Sequence, residues 1–178
     1  LLFLCIIGSM INIPVKRIRL EGEPPPLSLI SFFGMRYRPP QWRRPREMVL
    51  AVNVGGAVIP TLISLYLLMN AQHPIRMLLA TGGVTSVIHR IARPIPGLGI
   101  ATPMFIPPLV AALAALLLNP HWAPPTAYVA GTLGTLIGAD LLNLNRIREL
   151  KAPVASIGGA GTFDGIFLTG ILAVLLSW

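Results

Sequence analysis

Long apolar runs alternate with short polar segments along this chain of 178 residues. A helix needs about 20 mostly apolar residues to cross the hydrocarbon core of a bilayer. By that measure, the runs predict the end of one membrane helix and then four or five further segments, at about 1–12, 48–68, 75–91, 109–118, 127–144 and 156–178. The pattern therefore predicts an all-α, polytopic transmembrane helix bundle. This bundle is expected to have about five to six membrane segments in a single integral membrane domain over residues 1–178.

Prolines interrupt the fourth apolar region between residues 94 and 108. Proline removes a helix hydrogen-bond donor and clashes with the preceding turn, so regular helix is expected only over residues 109–118. The front half is predicted to be Pro-broken, either extended or re-entrant. Such a backbone is tolerated at membrane depth only where protein or trapped water satisfies its polar groups.

Composition and charge agree with a membrane location. The chain is 54% hydrophobic and only 11% charged, whereas soluble domains average about 25% charged residues. The net charge of +8 comes from short clusters between apolar runs, without a basic helix face, which argues against a nucleic-acid partner. If the segments cross alternately, every Lys and Arg except Arg76 lies on one side, and the positive-inside rule makes that side cytoplasmic. We expect a multi-pass protein of the cell membrane with a basic cytoplasmic loop over residues 14–47.

That basic loop contains a cluster of arginines interleaved with Tyr37 and Trp42. Because cations beside a bilayer attract anionic lipids, we expect contacts with lipid head groups there. The arginines concerned are Arg36, Arg38, Arg43, Arg44 and Arg46. The histidines and the single cysteine do not stand at metal-ligand spacing, and no P-loop or dinucleotide fingerprint is present. Neither a metal nor a cofactor is therefore expected.

The two aspartates of the chain, Asp140 and Asp164, both lie inside apolar runs. An ionisable group at membrane depth is costly and usually faces a cavity or a partner. Two carboxyl groups within hydrogen-bond reach cannot both ionise easily, so such a pair shares one proton. Aspartyl hydrolysis requires this arrangement, because one carboxylate activates water while the other group protonates the substrate. We predict Asp140 and Asp164 as catalytic residues, supported by Asn143 one helical turn from Asp140 and by Gly161 and Thr162 before Asp164.

Structural and transport roles for the two aspartates stay open as well. Asp164 precedes an apolar run and would equally serve as a helix N-cap with help from Thr162. Asp140 would equally be a structural carboxylate held by Asn143, or reached by Arg146 or Arg148 from the loop. A small transporter or a proton- or cation-coupled channel would use both acids as a relay, with the Pro-broken region as its transport site. A non-catalytic membrane scaffold, binding other helices through glycine faces, is a third alternative.

Four stretches of the sequence resemble a prokaryotic family of membrane proteins known as domain of unknown function 1614. They are residues 8–14 (Gly-Ser-Met-Ile-Asn-Ile-Pro), 51–57 (Ala-Val-Asn-Val-Gly-Gly-Ala), 138–144 (Gly-Ala-Asp-Leu-Leu-Asn-Leu) and 158–165. The resemblance covers nearly the whole chain. It implies a polytopic bacterial or archaeal membrane protein and supplies no activity.

A partial resemblance links the last of these stretches to the Gly-x-Gly-Asp intramembrane aspartyl proteases, which carry one aspartate on each of two membrane helices. Gly161 matches the first glycine of their motif and Asp164 matches its aspartate. Phe163 occupies the position of the second glycine, and Ala139 stands where presenilin-like enzymes have a tyrosine. The resemblance implies an intramembrane aspartyl protease that acts on a membrane-protein substrate, with Asp140 as the first catalytic aspartate and Asp164 as the second.

Overall fold

The structure is a computed structural model that describes residues 2–19, 30–32, 35–37, 47–95, 99–150, 152–159 and 165–178. Within this part of the chain, α-helices and β-strands are interleaved. The helices are α1 (Leu2–Ser9), α2 (Ile59–Met69), α3 (Pro74–Ile91), α4 (Ile106–Leu118), α5 (Ala123–Thr135) and α6 (Gly165–Leu176). The strands are β1 (Asn12–Arg19), β2 (Ile30–Phe32), β3 (Met35–Tyr37), β4 (Glu47–Asn53), β5 (Arg93–Ile95), β6 (Gly99–Ala101) and β7 (Val154–Ile157).

Strands from both ends and the middle of the chain share one sheet, in the order β1-β4-β7. Strand β1 pairs antiparallel with β4, from Asn12 opposite Asn53 to Arg19 opposite Glu47. Strand β7 pairs parallel with β4 on its other side. The pairs β2–β3 and β5–β6 form two further antiparallel sheets. The three-stranded sheet therefore brings together segments that are more than one hundred residues apart in sequence.

The all-α prediction is wrong, because the described residues contain these three sheets. The predicted span 48–68 shows the physical reason. Its first residues form the central strand β4, and the chain becomes helical only at a π-helical turn, Val54–Val58, that leads into α2. A short apolar run fits a buried strand as well as a buried helix, and only the pairing partners β1 and β7 decide between them. The predicted span 156–178 likewise begins in β7 and is helical from Gly165.

The prediction of five to six membrane segments is also wrong. Among the described residues, one continuous helix, Pro120–Ile147, is long and apolar enough to cross a membrane. It has 28 residues and consists of a 3-10 turn, α5, a second π-helical turn (Leu136–Asp140) and part of a 3-10 segment (Leu141–Leu150). The apolar helices Val54–Met69 and Ile106–Leu118 are shorter, because strands and turns take part of the apolar runs that were assigned to them.

Helix α5 lies at the centre of the helical part and packs against α2, α3, α4 and α6. The surrounding core consists largely of alanines and other small side chains. A Cβ added at Gly134 would lie 2.7 Å from Val84 Cγ1, and one added at Gly138 would lie 2.7 Å from the carbonyl oxygen of Thr85. These glycines let α5 and the following π-helical turn approach α3 closely, as small residues do at helix contacts in membranes.

The outer surfaces of the helices carry large exposed apolar side chains. They include Phe3 and Ile7 on α1, Leu62 and Met69 on α2, Leu78 and Leu79 on α3, Leu113 and Leu117 on α4, and Leu175 on α6. The described cations lie mostly in β1, at and after the end of α3, and in the 3-10 segment that contacts β5 and β7. Arg76, in contrast, lies at the start of α3. We refer to the end of the helices that contacts the three-stranded sheet as the sheet end. The described cations other than Arg76 are therefore found in elements at the sheet end.

Candidate functional site

Three polar side chains join the strands of the three-stranded sheet at the point where β4 ends. The Asn53 side-chain nitrogen donates to Asn12 Oδ1 at 3.1 Å and to the carbonyl oxygen of Ser9 at 2.7 Å. Asn12 Oδ1 also accepts a hydrogen bond of 2.6 Å from the Ser156 hydroxyl. Because Asn12, Asn53 and Ser156 belong to β1, β4 and β7, these bonds connect all three strands. We call these three residues the strand clamp.

Asn53 also fixes the start of the helix that follows β4. It is buried, and its Oδ1 accepts from the backbone N–H of Gly56 at 2.8 Å, so it caps the π-helical turn Val54–Val58. Asparagine is a favoured N-cap because its side-chain oxygen satisfies a helix N–H that has no partner within the helix. The close contact of α1 with this turn depends on Gly55, where an added Cβ would lie 2.0 Å from the Cys5 carbonyl oxygen. The strand clamp thereby holds α1, the sheet and the π-helical turn in one arrangement.

Asp140, the predicted catalytic residue in the long helix, lies next to the end of β7. It is the last residue of the second π-helical turn, and its Oδ2 accepts a hydrogen bond of 2.7 Å from the backbone N–H of Gly158. Gly158 has a φ of +77°, a conformation that glycine adopts without the steric cost other residues meet. The segment after β7 is therefore turned so that one backbone donor meets the Asp140 carboxylate. π-Helical turns are rare and occur frequently at functional sites.

The same segment is held against the strand clamp on its other side. A Cβ added at Gly159 would lie 3.1–3.2 Å from atoms of the Asn53 side chain, and one added at Gly158 would lie 2.6 Å from Ala57 Cβ. No larger side chain fits at these two positions without displacing its neighbours. The glycine pair therefore links the strand clamp to Asp140 in space.

Asn143, the predicted supporting residue, is buried one turn beyond Asp140. Its side-chain nitrogen lies 3.0 Å from the carbonyl oxygens of both Gly138 and Ala139, and 3.3 Å from His89 Nδ1. Carbonyl groups inside a π-helical turn lack the usual α-helical partners, and an amide donor satisfies them. Asn143 thus stabilises the turn on which Asp140 stands and ties it to α3.

Asp164, Gly161 and Thr162 lie outside the described residues, so the predicted pairing of Asp140 with Asp164 stays a prediction. The described residues on either side of this stretch do contact the surroundings of Asp140. Gly158 donates to the Asp140 carboxylate, and Ile166 is buried in one cluster with Ala57 and Leu136, the residue that begins the second π-helical turn. Both ends of the segment that contains Asp164 therefore border the same region.

The arginine cluster predicted to contact lipids is outside the described side chains. Arg36 lies in β3, where only the backbone is described, and Arg38, Arg43, Arg44 and Arg46 lie outside the described residues. Those head-group contacts stay a prediction. In the described ranges, no group of three or more His, Cys, Asp or Glu side chains is placed to hold a metal ion.

Sequence reasoning missed Asn12, Ser156 and Gly158 as parts of this site, and it treated Asn53 as a simple polar contact between helices. Their signal is present in the sequence, because each lies in or beside one of the four stretches that resemble domain of unknown function 1614. The described residues of these four stretches, far apart in sequence, meet at the strand clamp and Asp140. Side-chain bonds between positions 41 and 144 residues apart could not be read from local patterns.

Comparison with known proteins gives a family and no activity. The chain has no match among curated proteins and none among solved structures. A family model described as "Protein of unknown function (DUF1614)" matches residues 6–176, which include the strand clamp, Asp140 and the glycine pair. The chain therefore belongs to the DUF1614 family of proteins of unknown function.

Proposed function

We propose that this protein is a membrane-embedded aspartyl hydrolase that cleaves peptide bonds with Asp140 and Asp164. The observation that carries the proposal is the 2.7 Å hydrogen bond from the Gly158 backbone to the Asp140 carboxylate. It brings the segment that leads to Asp164 against Asp140, and Ile166 on the far side of Asp164 packs beside Leu136. General acid–base hydrolysis requires two carboxyl groups within hydrogen-bond reach. Two segments that approach each other in this way support such a pair.

The proposed chemistry gives the two aspartates different roles. The Gly158 backbone N–H donates to Asp140, and the proposal gives Asp140 the role of the base that accepts a proton from the attacking water. Asp164 carries the shared proton and donates it to the substrate carbonyl oxygen while water adds to the carbonyl carbon, which gives a tetrahedral intermediate. Asp140 then passes the proton that it took from water to the amide nitrogen, Asp164 takes a proton back from a hydroxyl of the intermediate, and the carbon–nitrogen bond breaks to release the amine and the carboxylic acid. The strand clamp and Asn143 hold the two backbone segments in place and do not touch the substrate.

A membrane location is part of the proposal and has its own support. The helix Pro120–Ile147 is long enough to cross a bilayer, and neighbouring helices expose large apolar side chains. Extended apolar surface is unusual for a protein that faces water on all sides. The cations at the sheet end favour a cytoplasmic orientation of that end by the positive-inside rule, in the cell membrane.

The experiment uses the full chain reconstituted into vesicles together with a bacterial membrane-protein extract. New peptide N-termini are labelled and identified by mass spectrometry for the wild type, Asp140→Asn, Asp164→Asn and Glu47→Gln. Glu47 is an exposed acid in the sheet and serves as the matched control. We expect a set of new N-termini with the wild type and Glu47→Gln that both Asn variants lack. The same N-termini in folded Asn variants would contradict the hydrolase.

A proton- or cation-coupled transporter is the second candidate, and one observation favours it. The hydroxyl groups of Thr132 and Thr135 are buried and have no hydrogen-bond partner among the described residues. Both lie on α5 ahead of Asp140, and a buried hydroxyl without a partner costs about 1–3 kcal/mol. Such groups would line a relay toward Asp140 through the helical part.

The two candidates differ in their response to changes at these threonines. Thr132→Val and Thr135→Val keep the side-chain shape but remove the hydroxyls. If the protein is a transporter, these variants lower proton uptake by proteoliposomes, measured with an internal pH dye. If the protein is the proposed hydrolase, proton uptake is absent from the wild type and peptide cleavage continues in both threonine variants.

A further inference from the structure

Exposed side chains change from apolar to cationic within a few residues in three separate segments. The change runs from Ile13 and Val15 to Lys16 and Arg17 in β1, from Val87 to Arg90 in α3, and from Leu144 to Arg146 in the 3-10 segment. In each segment the cation lies on the sheet-end side of the apolar residue. Three independent segments therefore mark the same boundary between an apolar and a basic surface.

The three segments pack around the same sheet end. Ile147, next to Arg146, is buried against Met48 of β4, the strand that pairs with β1. Gly138 packs closely against Thr85 and Ile88, within one turn of Arg90. Strand β5, which contains Arg93, contacts the 3-10 segment. Cations from four elements consequently surround the sheet end.

We propose that these cations form a head-group surface that binds the phosphates of anionic lipids at the cytoplasmic face of the bilayer. The surface consists of Lys16, Arg17, Arg19, Arg90, Arg93 and Arg146. None of these six cations belongs to the arginine cluster predicted between residues 36 and 46. The proposal depends on the membrane location given under Proposed function, and it places the hydrocarbon boundary between Val15 and Lys16.

Charge and exposure support lipid as the ligand. The six cations outnumber the exposed acid described beside them, Glu47, which pairs with Arg19 at 3.9 Å, so the described part of the head-group surface carries a net positive charge. Clustered Lys and Arg at a membrane surface attract anionic lipids. Large apolar side chains directly beside them, such as Val15 at 63% exposure, suit insertion between acyl chains. A soluble phosphate would satisfy the cations but leave these apolar side chains in water.

The boundary also gives the proposed site a depth. Asp140 lies six residues before Arg146, and at about 2 Å per residue in a 3-10 segment this is roughly 12 Å. The carboxylate is thus on the hydrocarbon side of the head groups but near the cytoplasmic boundary. Water would reach it from the sheet end, where the strand clamp and Gly158 lie.

The test measures lipid selectivity by electron paramagnetic resonance on the full chain reconstituted in phosphatidylcholine vesicles. Spin-labelled phosphatidylglycerol and spin-labelled phosphatidylcholine are compared, and the fraction of motionally restricted label gives the preference for the anionic lipid. We expect the preference to fall about fivefold in the combined variant Lys16→Gln, Arg17→Gln, Arg19→Gln. Each bound lipid is expected to lose its contact with one cation in this variant, and the loss of one such contact weakens binding by about this factor. Arg76→Gln, at the opposite end of α3, is the matched control and should leave the preference unchanged.

A second variant, Arg90→Gln with Arg93→Gln, tests the same surface through different elements and guards against misfolding of the first. Equal selectivity of wild type and both variants would overturn the proposal, as would a wild type without preference for phosphatidylglycerol. Binding of inorganic phosphate by the wild type in detergent, together with no preference for phosphatidylglycerol in vesicles, would identify a soluble phosphate site instead and overturn it too. Failure of the wild type to enter vesicles of any composition would contradict the membrane location itself, which separates the two proposals.

Discussion

At Gly158, both the backbone conformation and the packing of the site require glycine. Its φ of +77° lies in the left-handed region, and an added Cβ would lie 2.6 Å from Ala57 Cβ and 2.7 Å from the Ala57 nitrogen. The substitution Gly158→Ala therefore forces a choice. Either the segment after β7 moves away from the π-helical turn Val54–Val58, or the strain remains in the folded state.

The cost can be worked out from these two terms. A non-glycine residue in the left-handed region costs about 1–2 kcal/mol, and an extra methyl group in a packed site costs about 1–3 kcal/mol. Gly158→Ala should then lower the free energy of unfolding by roughly 2–5 kcal/mol. If the segment moves instead, the hydrogen bond to Asp140 is lost, which costs about 1.5–3 kcal/mol for a charged acceptor.

Gly82 and Gly83 provide matched controls in the same chain. Both are exposed in the interior of α3, and an added Cβ at either position meets nothing within 4 Å. Alanine is favoured over glycine inside a helix by about 0.5–1 kcal/mol, so Gly82→Ala and Gly83→Ala should stabilise the protein. Unfolding in mixed detergent micelles with increasing dodecyl sulfate, followed by tryptophan fluorescence, gives the three free energies. A Gly158→Ala variant as stable as the Gly82→Ala variant would refute the described conformation of this segment.

Further substitutions test the contacts around the strand clamp by the same unfolding measurement. Gly55→Ala should lower the free energy of unfolding by about 3 kcal/mol or more, because the added Cβ would overlap the Cys5 carbonyl oxygen. If the variant is as stable as the wild type, α1 does not pack against Gly55 as described. Asn53→Ala should lower the free energy of unfolding by about 2–4 kcal/mol, because it leaves buried backbone groups unpaired. The control Asn70→Ala removes only an exposed hydrogen bond at the end of α2 and should change the free energy of unfolding by less than about 0.5 kcal/mol. Equal effects at the two asparagines would contradict the clamp. Arg19→Ala should cost about 0.5 kcal/mol or less, as expected for an exposed ion pair, and a larger loss would show that this pair is structural.

The sequence predicted helices best where an apolar run has clear breakers at both ends. The segment 75–91 corresponds to α3 (Pro74–Ile91) almost residue for residue, because Pro74 begins it and Pro94, which disfavours helix at the preceding residue, follows its end. The segment 48–68 failed since residues 48–53 are apolar without a distinctive period. Their strand conformation depends on β1 and β7, which no local pattern identifies. For the same reason, the sequence predicted a bundle of membrane helices, whereas the structure has a sheet at one end of its helices.

Asp140 could be predicted as a site residue because a carboxylate in an apolar run demands a physical reason. What the sequence could not give is its backbone donor. The Gly158 N–H meets it only because Gly158 adopts a positive φ and the glycine pair packs against Asn53 and Ala57. The role of Asn143 was also outside its reach, since the π-helical turn that it satisfies is set by packing against α3 and not by residue type.

The proximity of Asp140 and Asp164 is the central claim, and disulfide trapping measures it most directly. The variant Asp140→Cys with Asp164→Cys is made in a Cys5→Ala background and oxidised in native membranes. A disulfide requires Cβ atoms about 3.5–4.5 Å apart, so a carboxyl pair within hydrogen-bond reach predicts rapid and nearly complete cross-linking. The control pair, Asp140→Cys with Leu175→Cys, places the second cysteine ten residues into α6 and should not cross-link. If the 140–164 pair reacts no faster than this control, the two aspartates do not meet and the hydrolase is ruled out.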